Sequence, residues 1–468
     1  MELERGLSLS PDVAVYRLKG GIYAFHPPTR TCISMNEAML DWLEHPDAGS
    51  RTAAELYRLG ILVAPRTGQD ASPRSAPLKP PPPTCLAIFV TTRCNLRCAY
   101  CYANGGDFGK TIAPQIWRTA MGHFFDAQAA CGQRFPRTVT LVIHGGGEPT
   151  LEFGLLKDLV AEFKARAKAA GLRATISMGS NGAYPEPVHR WILDNDVHVN
   201  ISLDGPPHVQ DRLRPLRSGL SSFDAVARNL QALVQAGRKM AVRSTVTAET
   251  LDSMPATVEL AHEMGIATVH FEPVSITGRC NASGVARPPA DEFAERFLQC
   301  FLRGLALDVA VRYSGMRCFG ACHKKFCAAC GDNFCVTVDG NITMCYEVLD
   351  SCHPAAESFF VGKVDSVHGT VDVDSQHIAT LGKRTAENME ACSNCFLRLQ
   401  CAGDCPLKSY QYSGCDLYSP DPYRCQIAHA VNRQLIAWLA DGVIVTRNPR
   451  NSLFVSLSDD NRERISTP

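Results

Sequence analysis

Three thiols stand close together at Cys94, Cys98 and Cys101, a C-x3-C-x2-C spacing directly after the apolar run Cys85 to Val90. An iron-sulfur cluster normally takes a Cys thiolate at each of its four irons, so a compact set of three leaves one iron open to a ligand other than protein. With a distant fourth ligand the same thiols would suit zinc. A second polar motif, Gly145-Gly146-Gly147-Glu148-Pro149, joins glycines, which let the main chain approach a ligand closely, to a carboxylate that can accept from an ammonium. More thiols crowd the C-terminal third at Cys318, Cys322, Cys327, Cys330, Cys335, Cys345, Cys392, Cys395, Cys401, Cys405 and Cys425.

The chain has 21 cysteines in 468 residues, an odd total that argues against a complete disulfide framework. Met1 to Pro11 carries Glu2, Glu4 and Arg5 and no apolar core of signal-peptide length, and no run approaches the roughly 18 apolar residues of a membrane span. The expected location is therefore cytoplasmic, where thiols stay reduced and clustered cysteines serve metals. Lys plus Arg equals Asp plus Glu at 47 each, so nothing in the overall charge points to a nucleic acid or a membrane as partner.

The elements that must position these residues alternate between strand and helix. Strands are expected at Cys85 to Thr91, Val139 to His144, Arg173 to Gly179, Val197 to Leu203, Met240 to Val246 and Thr268 to Val274. Helical patterns fall at Ala113 to Ala130, Leu155 to Ala170, Pro187 to Asn195, Phe223 to Ala236, Ser253 to Met264 and Ala290 to Leu307. Strands apolar on both faces and separated by helices imply a parallel sheet, here an α/β fold with a partial (β/α)6 TIM-like barrel, the alternative being an open doubly wound sheet. Its site belongs at the carboxyl ends of the strands. The thiols follow the first strand, Gly145 to Pro149 the second, Ser180-Asn181-Gly182 the third and Ser202 to Gly205 the fourth, with Arg243 and Thr245 on the fifth and Glu272 on the sixth. Arg243 and Glu272 could equally form an internal ion pair.

The remaining organisation is read from composition. Residues 1–70 suggest a hairpin (Val13 to Leu18, Gly20-Gly21, Ile22 to Phe25), a strand at Thr31 to Met35 and helices at Glu37 to Glu44 and Ala53 to Leu59, with Asn36 as N-cap. This is a small winged-helix-like module, either a packing wing or a peptide-recognition element. A Pro-rich linker at 71–84 precedes the barrel at 85–310, a Cys-rich iron-sulfur domain at 311–430 and a C-terminal helix and tail at 431–468. Cys32, Cys131, Cys280, Cys300 and Cys352 read as small buried hydrophobes, and Cys415 stays open.

Cys94, Cys98 and Cys101, with Tyr100 before the last thiol, resemble the signature of the radical S-adenosylmethionine (SAM) superfamily. The resemblance implies that the open iron is chelated by the amino and carboxylate groups of SAM, which an electron cleaves to a 5'-deoxyadenosyl radical. Gly146, Gly147 and Glu148 resemble the family's GGEP motif, implied to hold the methionine amino group. Ser202 and Arg214 match positions that grip the ribose or carboxylate, and Ser180 and Asn181 are implied for the same pocket.

The C-terminal pattern, Cys330-x9-Gly340-x4-Cys345 followed by Cys392, Cys395, Cys401, Cys405 and Cys425, resembles the SPASM extension, which typically carries two auxiliary [4Fe-4S] clusters. By resemblance Cys392, Cys395, Cys401 and Cys425 hold one, and Cys345 and Cys405 hold the other with ligands from Cys322, Cys327 or Cys330. Three [4Fe-4S] clusters are therefore expected.

The stretch Cys101 to Gly109 and the N-terminal module are similar to thioether-forming maturases, including the six-cysteine peptide and quinohemoprotein amine dehydrogenase maturation types. The implied substrate is a ribosomally made peptide or protein, with or without a leader peptide, and the implied reductant a flavodoxin- or ferredoxin-type protein. An anaerobic sulfatase-type formylglycine maturase fits less well, because Tyr346 follows Cys345 where that family has Asp. A non-enzymatic iron-sulfur carrier or scaffold would not need the GGEP-like pocket.

Overall fold

The structure, a computed structural model, describes residues 7–10, 13–18, 21–26, 31–64, 82–130, 138–316, 323–446 and 455–457. Cys131, Cys318, Cys322 and most of the Pro-rich stretch lie outside the described residues.

Near the N-terminus, β1 (Ala14–Leu18), β2 (Gly21–His26) and β3 (Thr31–Met35) form an antiparallel sheet. Asn36 Oδ1 accepts from Met39 N at 2.8 Å to cap α1 (Glu37–Glu44), and Ser50 caps α2 (Arg51–Arg58) through Ala53 N. Each cap satisfies an amide that the first helical turn leaves unpaired. Leu43, Ala53 and Leu56 join Leu7, Ile61 and Leu62 in a small core. Tyr23 and Phe25 belong instead to the main core, where Tyr23 Oη donates to Asp441 at 2.7 Å.

The six expected strands are β4 (Cys85–Phe89), β5 (Thr138–His144), β6 (Arg173–Ser180), β7 (Val197–Ser202), β8 (Ala241–Val246) and β9 (Thr268–Pro273). Six helices lie between or after them as expected: α3 (Pro114–Ala130), α4 (Phe153–Ala169), α5 (Glu186–Asp194), α7 (Phe223–Gln235), α8 (Met254–Glu263) and α9 (Ala290–Ala306). A further short helix, α6 (Pro207–Leu213), was not anticipated; Pro206 and Pro207 at its start hide the short turn of periodicity that follows.

These strands lie side by side in chain order and all parallel, and a further short strand, β10 (Ala310–Arg312), continues the sheet beyond β9. On the other side β4 pairs in parallel with β11 (Cys335–Val336). Antiparallel strands β12 (Asn341–Thr343), β13 (Phe360–Asp365) and β14 (Thr370–Val373) follow, so one eleven-stranded sheet carries the barrel into the Cys-rich region.

Leu86, Ala87, Ile88 and Phe89 are all buried, as a strand covered on both faces requires. Helix α10 (Pro406–Ser413) follows Cys405, and the C-terminal helix α11 (Pro422–Ala440) packs on α9, with Trp438 stacked on Phe301 at 6.4 Å between ring centroids.

Candidate active site

The loop after β4 is fastened before any ligand is considered. Arg97 donates to the carbonyls of Leu96, Gly105 and Gly106, and Arg279, arriving from the loop after β9, donates to Cys98 O at 2.9 Å, Gly105 O at 3.0 Å and Asp107 at 2.9 Å. Two guanidinium forks thus fix a loop that has no secondary structure of its own. Gly105 N donates to Cys101 Sγ at 3.2 Å. Neither arginine was singled out in the sequence. Arg97 was visible inside the C-x3-C spacing, whereas Arg279 is far away in the chain and carried no signal.

The glycine loop after β5 lies directly against this thiol loop. Gly147 N donates to Thr91 O at 2.9 Å and Glu148 N to Arg93 O at 2.8 Å. A Cβ on Gly147 would sit 2.0 Å from Arg93 O, so only glycine allows the approach.

Glu148 is buried, and its carboxylate braces the ends of β5 and β6. Its Oε1 accepts from Thr150 N (3.2 Å), Thr150 Oγ1 (2.7 Å) and Ser180 Oγ (2.9 Å), and its Oε2 from Asn181 N (2.7 Å). Burial pushes its pKa up, and these four bonds pull in the other direction. With Oε1 saturated, the remaining acceptor capacity is on Oε2. Asn181 donates to Asn95 Oδ1 at 2.8 Å and lies 3.9 Å from Cys94 Sγ, linking the third strand end to the thiol loop.

Arg214 and Tyr100 complete the floor. Arg214 Nη1 donates to Tyr100 Oη at 2.7 Å, which donates to Asp204 Oδ2 at 2.5 Å. Asp204 in turn accepts from Thr245 N at 3.0 Å. Arg214 is buried, and its Nε has no hydrogen-bond partner among the described residues. Ser202 is half-buried at the register position of Arg243, and no side-chain hydrogen bond is formed by it among the described residues. Of the expected pocket residues, Glu148, Ser180 and Asn181 are joined directly; Arg214 reaches them only through its proximity to Cys94 and Cys98.

The suggested Arg243–Glu272 pair is not formed. Glu272 instead binds Arg424 Nη1 at 3.0 Å, His270 Nε2 at 3.1 Å and Ser314, while Arg424 also grips Asp404 through two nitrogens. Burial would raise the Glu272 pKa, but the His270 bond and the Arg424 charge hold it well below the usual carboxylate range. Arg243 is exposed and has no ion-pair partner among the described residues. Alternation along β8 turns it the other way from Ser244, and its charge is felt by Tyr102, His144 and Glu347. Burial and this nearby cation depress His144 to about 4, so the imidazole is neutral at pH 7. Tyr346 stacks on it at 5.0 Å, and Glu347 pairs with Lys408 at 2.7 Å.

The C-terminal thiols fall into two neighbourhoods. Cys327 and Cys330 share a hydrogen bond that holds the Cys330 thiol below its ordinary range, and Cys405 lies within electrostatic reach of both Cys327 and Cys345. Cys425, on α11, faces Cys392 and Cys395. Cys401 ends the short helix Arg398–Cys401, on the chain between these neighbourhoods. Cys280 and Cys300 are buried as expected and Cys32 is half-buried; Cys335 is also buried, paired beside β4. Cys352 corrects the expectation of a buried hydrophobe: it is exposed in a turn where its N–H donates to Asp350 Oδ1 at 2.8 Å. Cys415 is exposed.

The donor set fits a cluster. Cys94, Cys98 and Cys101 lie within electrostatic reach of one another, Cys94 and Cys98 also of Arg214, and burial pushes the Cys98 thiol up to about 12, so a metal must displace its proton. Among the described residues no three His, Cys, Asp or Glu side chains converge as a single ion requires. A cubane asks for something else, one thiolate per iron at separated corners.

Comparison with known proteins agrees with this chemistry. The family described as the radical SAM superfamily matches residues 88–261. An Fe-coproporphyrin III synthase of Methanosarcina barkeri is 29% identical over 192 residues, 41% of this chain; the chain spans about half the length of that relative, 44%. A serine-type anaerobic sulfatase-maturating enzyme of Klebsiella aerogenes is 23% identical over 360 residues, 74% of this chain and 85% of the relative.

Two solved structures share the fold. Native anSMEcpe with bound AdoMet and Cp18Cys peptide has a TM-score of 0.59 at 17% identity, covering 76% of this chain and 98% of that one. Streptococcus suis SuiB bound to S-adenosylmethionine has a TM-score of 0.51 at 15% identity, covering 89% and 99%. With the thiol loop, the glycine loop and the strand-end polar residues brought to one face of a parallel barrel, the chain carries a radical SAM domain over residues 88–261, a domain of the kind that binds a [4Fe-4S] cluster and S-adenosylmethionine.

Proposed function

We propose that the protein is a peptide or protein maturase in which Cys94, Cys98 and Cys101 hold the barrel cluster. Glu148 Oε2, the Gly146-Gly147 backbone, Ser180, Asn181, Ser202 and Arg214 form the pocket for the methionine and ribose parts of SAM. Held there, the cluster and SAM would supply radical chemistry directed at a hydrogen of the substrate. The chain's own residues orient and shelter. Arg97 and Arg279 fix the thiol loop, Arg214 offsets thiolate charge, and the buried Tyr100–Asp204 pair closes the floor to water. Cys327, Cys330, Cys345 and Cys405 are assigned to one auxiliary cluster and Cys392, Cys395, Cys401 and Cys425 to the other. The unpaired Arg243, beside neutral His144 and Tyr102, offers a cation to a carboxylate or carbonyl of the substrate.

The observation that carries the macromolecular substrate is where the similarity stops. The match to the sulfatase-maturating enzyme spans 74% of the chain, whereas the match to the Fe-coproporphyrin III synthase spans only 41%. The same match favours, as a second reading, a formylglycine-forming maturase. Tyr346, stacked on His144 immediately after Cys345, speaks for a different bond, and a thioether or other crosslink is the preferred product.

The test is anaerobic reconstitution followed by dithionite. The protein is expected to hold about twelve irons, the content of three [4Fe-4S] clusters, and to release 5'-deoxyadenosine. The Cys94→Ala/Cys98→Ala/Cys101→Ala variant is expected to release none. Co-expression with a short Cys-rich peptide encoded beside the gene should then change that peptide's mass. Undiminished cofactor cleavage by the triple variant would overturn the site, and a gain of formylglycine would decide for the second reading.

A further inference from the structure

Helix α11 presents three polar side chains at four-residue intervals, Cys425, His429 and Arg433. That spacing places all three on one helix face. Opposite them is the Cys392–Cys395 loop. Cys425 faces both of its thiols, His429 Nε2 lies 3.3 Å from Cys395 Sγ, and Arg433 stands over the Phe396 ring at 5.7 Å. Phe396 also packs on the His429 ring with 5.2 Å between centroids, which limits how the imidazole can turn. The cysteine pattern gave no hint of this histidine, because it lies outside every C-x-C spacing and reaches the loop only through the helical repeat.

We infer that His429 is a positioning residue of the auxiliary cluster assigned to Cys392, Cys395, Cys401 and Cys425, donating its Nε2–H to the sulfur of Cys395. The geometry favours a donor over a ligand. In a cubane each iron takes one terminal ligand, and ligands on separate irons stand well apart, whereas 3.3 Å is hydrogen-bond contact with sulfur. A hydrogen bond to a ligating thiolate withdraws charge from the cluster, which favours the reduced state and raises the reduction potential. Arg433 and Arg398 also act on Cys395 with positive charge. The environment therefore raises this cluster's potential above the value the same thiols would have without His429.

The inference rests on the cluster assignment above, and its test separates the two. In full-length, anaerobically reconstituted protein, Cys392→Ala/Cys395→Ala is first compared with the unmodified chain; unchanged iron content would sink the cluster assignment itself. His429→Phe is then expected to keep the full iron content while the midpoint potential of this cluster, followed by EPR-monitored redox titration, moves to a more negative value. His429→Gln, which restores an N–H donor, is expected to recover most of that shift and guards against a variant that merely packs badly. An unmoved potential with iron retained overturns the inference. Loss of one cluster's iron in both variants also overturns it, because it would make His429 a ligand.

Discussion

Replacing Arg424 by methionine tests how the Cys-rich region is held to the barrel. Arg424 is buried beside Cys425 and reaches Glu272 on β9 at 3.0 Å, Ser314 Oγ at 2.8 Å and Asp404, the neighbour of Cys405, at 3.1 Å through Nη2 and again through Nε. One side chain thus ties a barrel strand to loops from both thiol neighbourhoods. Removing one member of a buried ion pair typically costs about 3–5 kcal/mol, because the partner is left charged and unsolvated. Arg424→Met strands two carboxylates, so the loss is expected toward the upper end of that range at pH 7. The assay is urea unfolding of the apoprotein followed by tryptophan fluorescence, since Trp438 lies on the same helix and against α9.

The pH dependence gives a second handle. In the native protein Glu272 is held below its ordinary range, so it contributes stability above the unfolded glutamate pKa that is lost only as pH falls through the depressed folded value. Without Arg424 part of that depression is lost while the His270 and Ser314 bonds remain, so Glu272 of the variant takes up its proton at a higher pH than the native one. The deficit of the variant is therefore expected to shrink as pH falls below the ordinary glutamate value of 4.5 toward the depressed native one. A loss below about 1 kcal/mol, the size of an exposed pair, or a deficit that does not change with pH would refute the reasoning.

Two further outcomes are expected. Gly147→Ala drives a methyl into the Arg93 carbonyl and must break the Gly147–Thr91 and Glu148–Arg93 backbone bonds. At about 0.5–1.5 kcal/mol per bond, this should lower stability by roughly 1–3 kcal/mol and deplete the barrel cluster, measured by iron content against Gly146→Ala, whose nearest neighbour is only the tip of Leu349 at 3.2 Å. Tyr100→Phe interrupts the Arg214–Tyr100–Asp204 chain and removes the partner of two buried atoms, Arg214 Nη1 and Asp204 Oδ2. Its expected cost is about 1–3 kcal/mol for each group, read by denaturant unfolding, and Asp204→Asn in the same background should recover part of it.

The sequence by itself determined the barrel and the placement of its chemistry. β4 is apolar on both faces, a property written in the consecutive residues Leu86-Ala87-Ile88-Phe89, and parallel pairing of β4 to β9 follows because each strand is separated from the next by a helix. The thiols, Gly147, Glu148, Ser180 and Asn181 each lie just past or at a strand's end, so their convergence was legible from spacing alone. Asn36 as the cap of α1 was equally local.

Only the tertiary structure decided the long-range contacts. It gave Glu272 to Arg424 rather than to Arg243, placed Arg279 on the thiol loop across 181 residues of chain, extended the sheet through β11, and brought His429 to Cys395. Charge and hydrogen bonding carry no sequence period. A carboxylate such as Glu272 can satisfy itself with any donor that packing brings within reach, and which donor arrives is fixed by how α11 docks on α9, not by the residues around either partner.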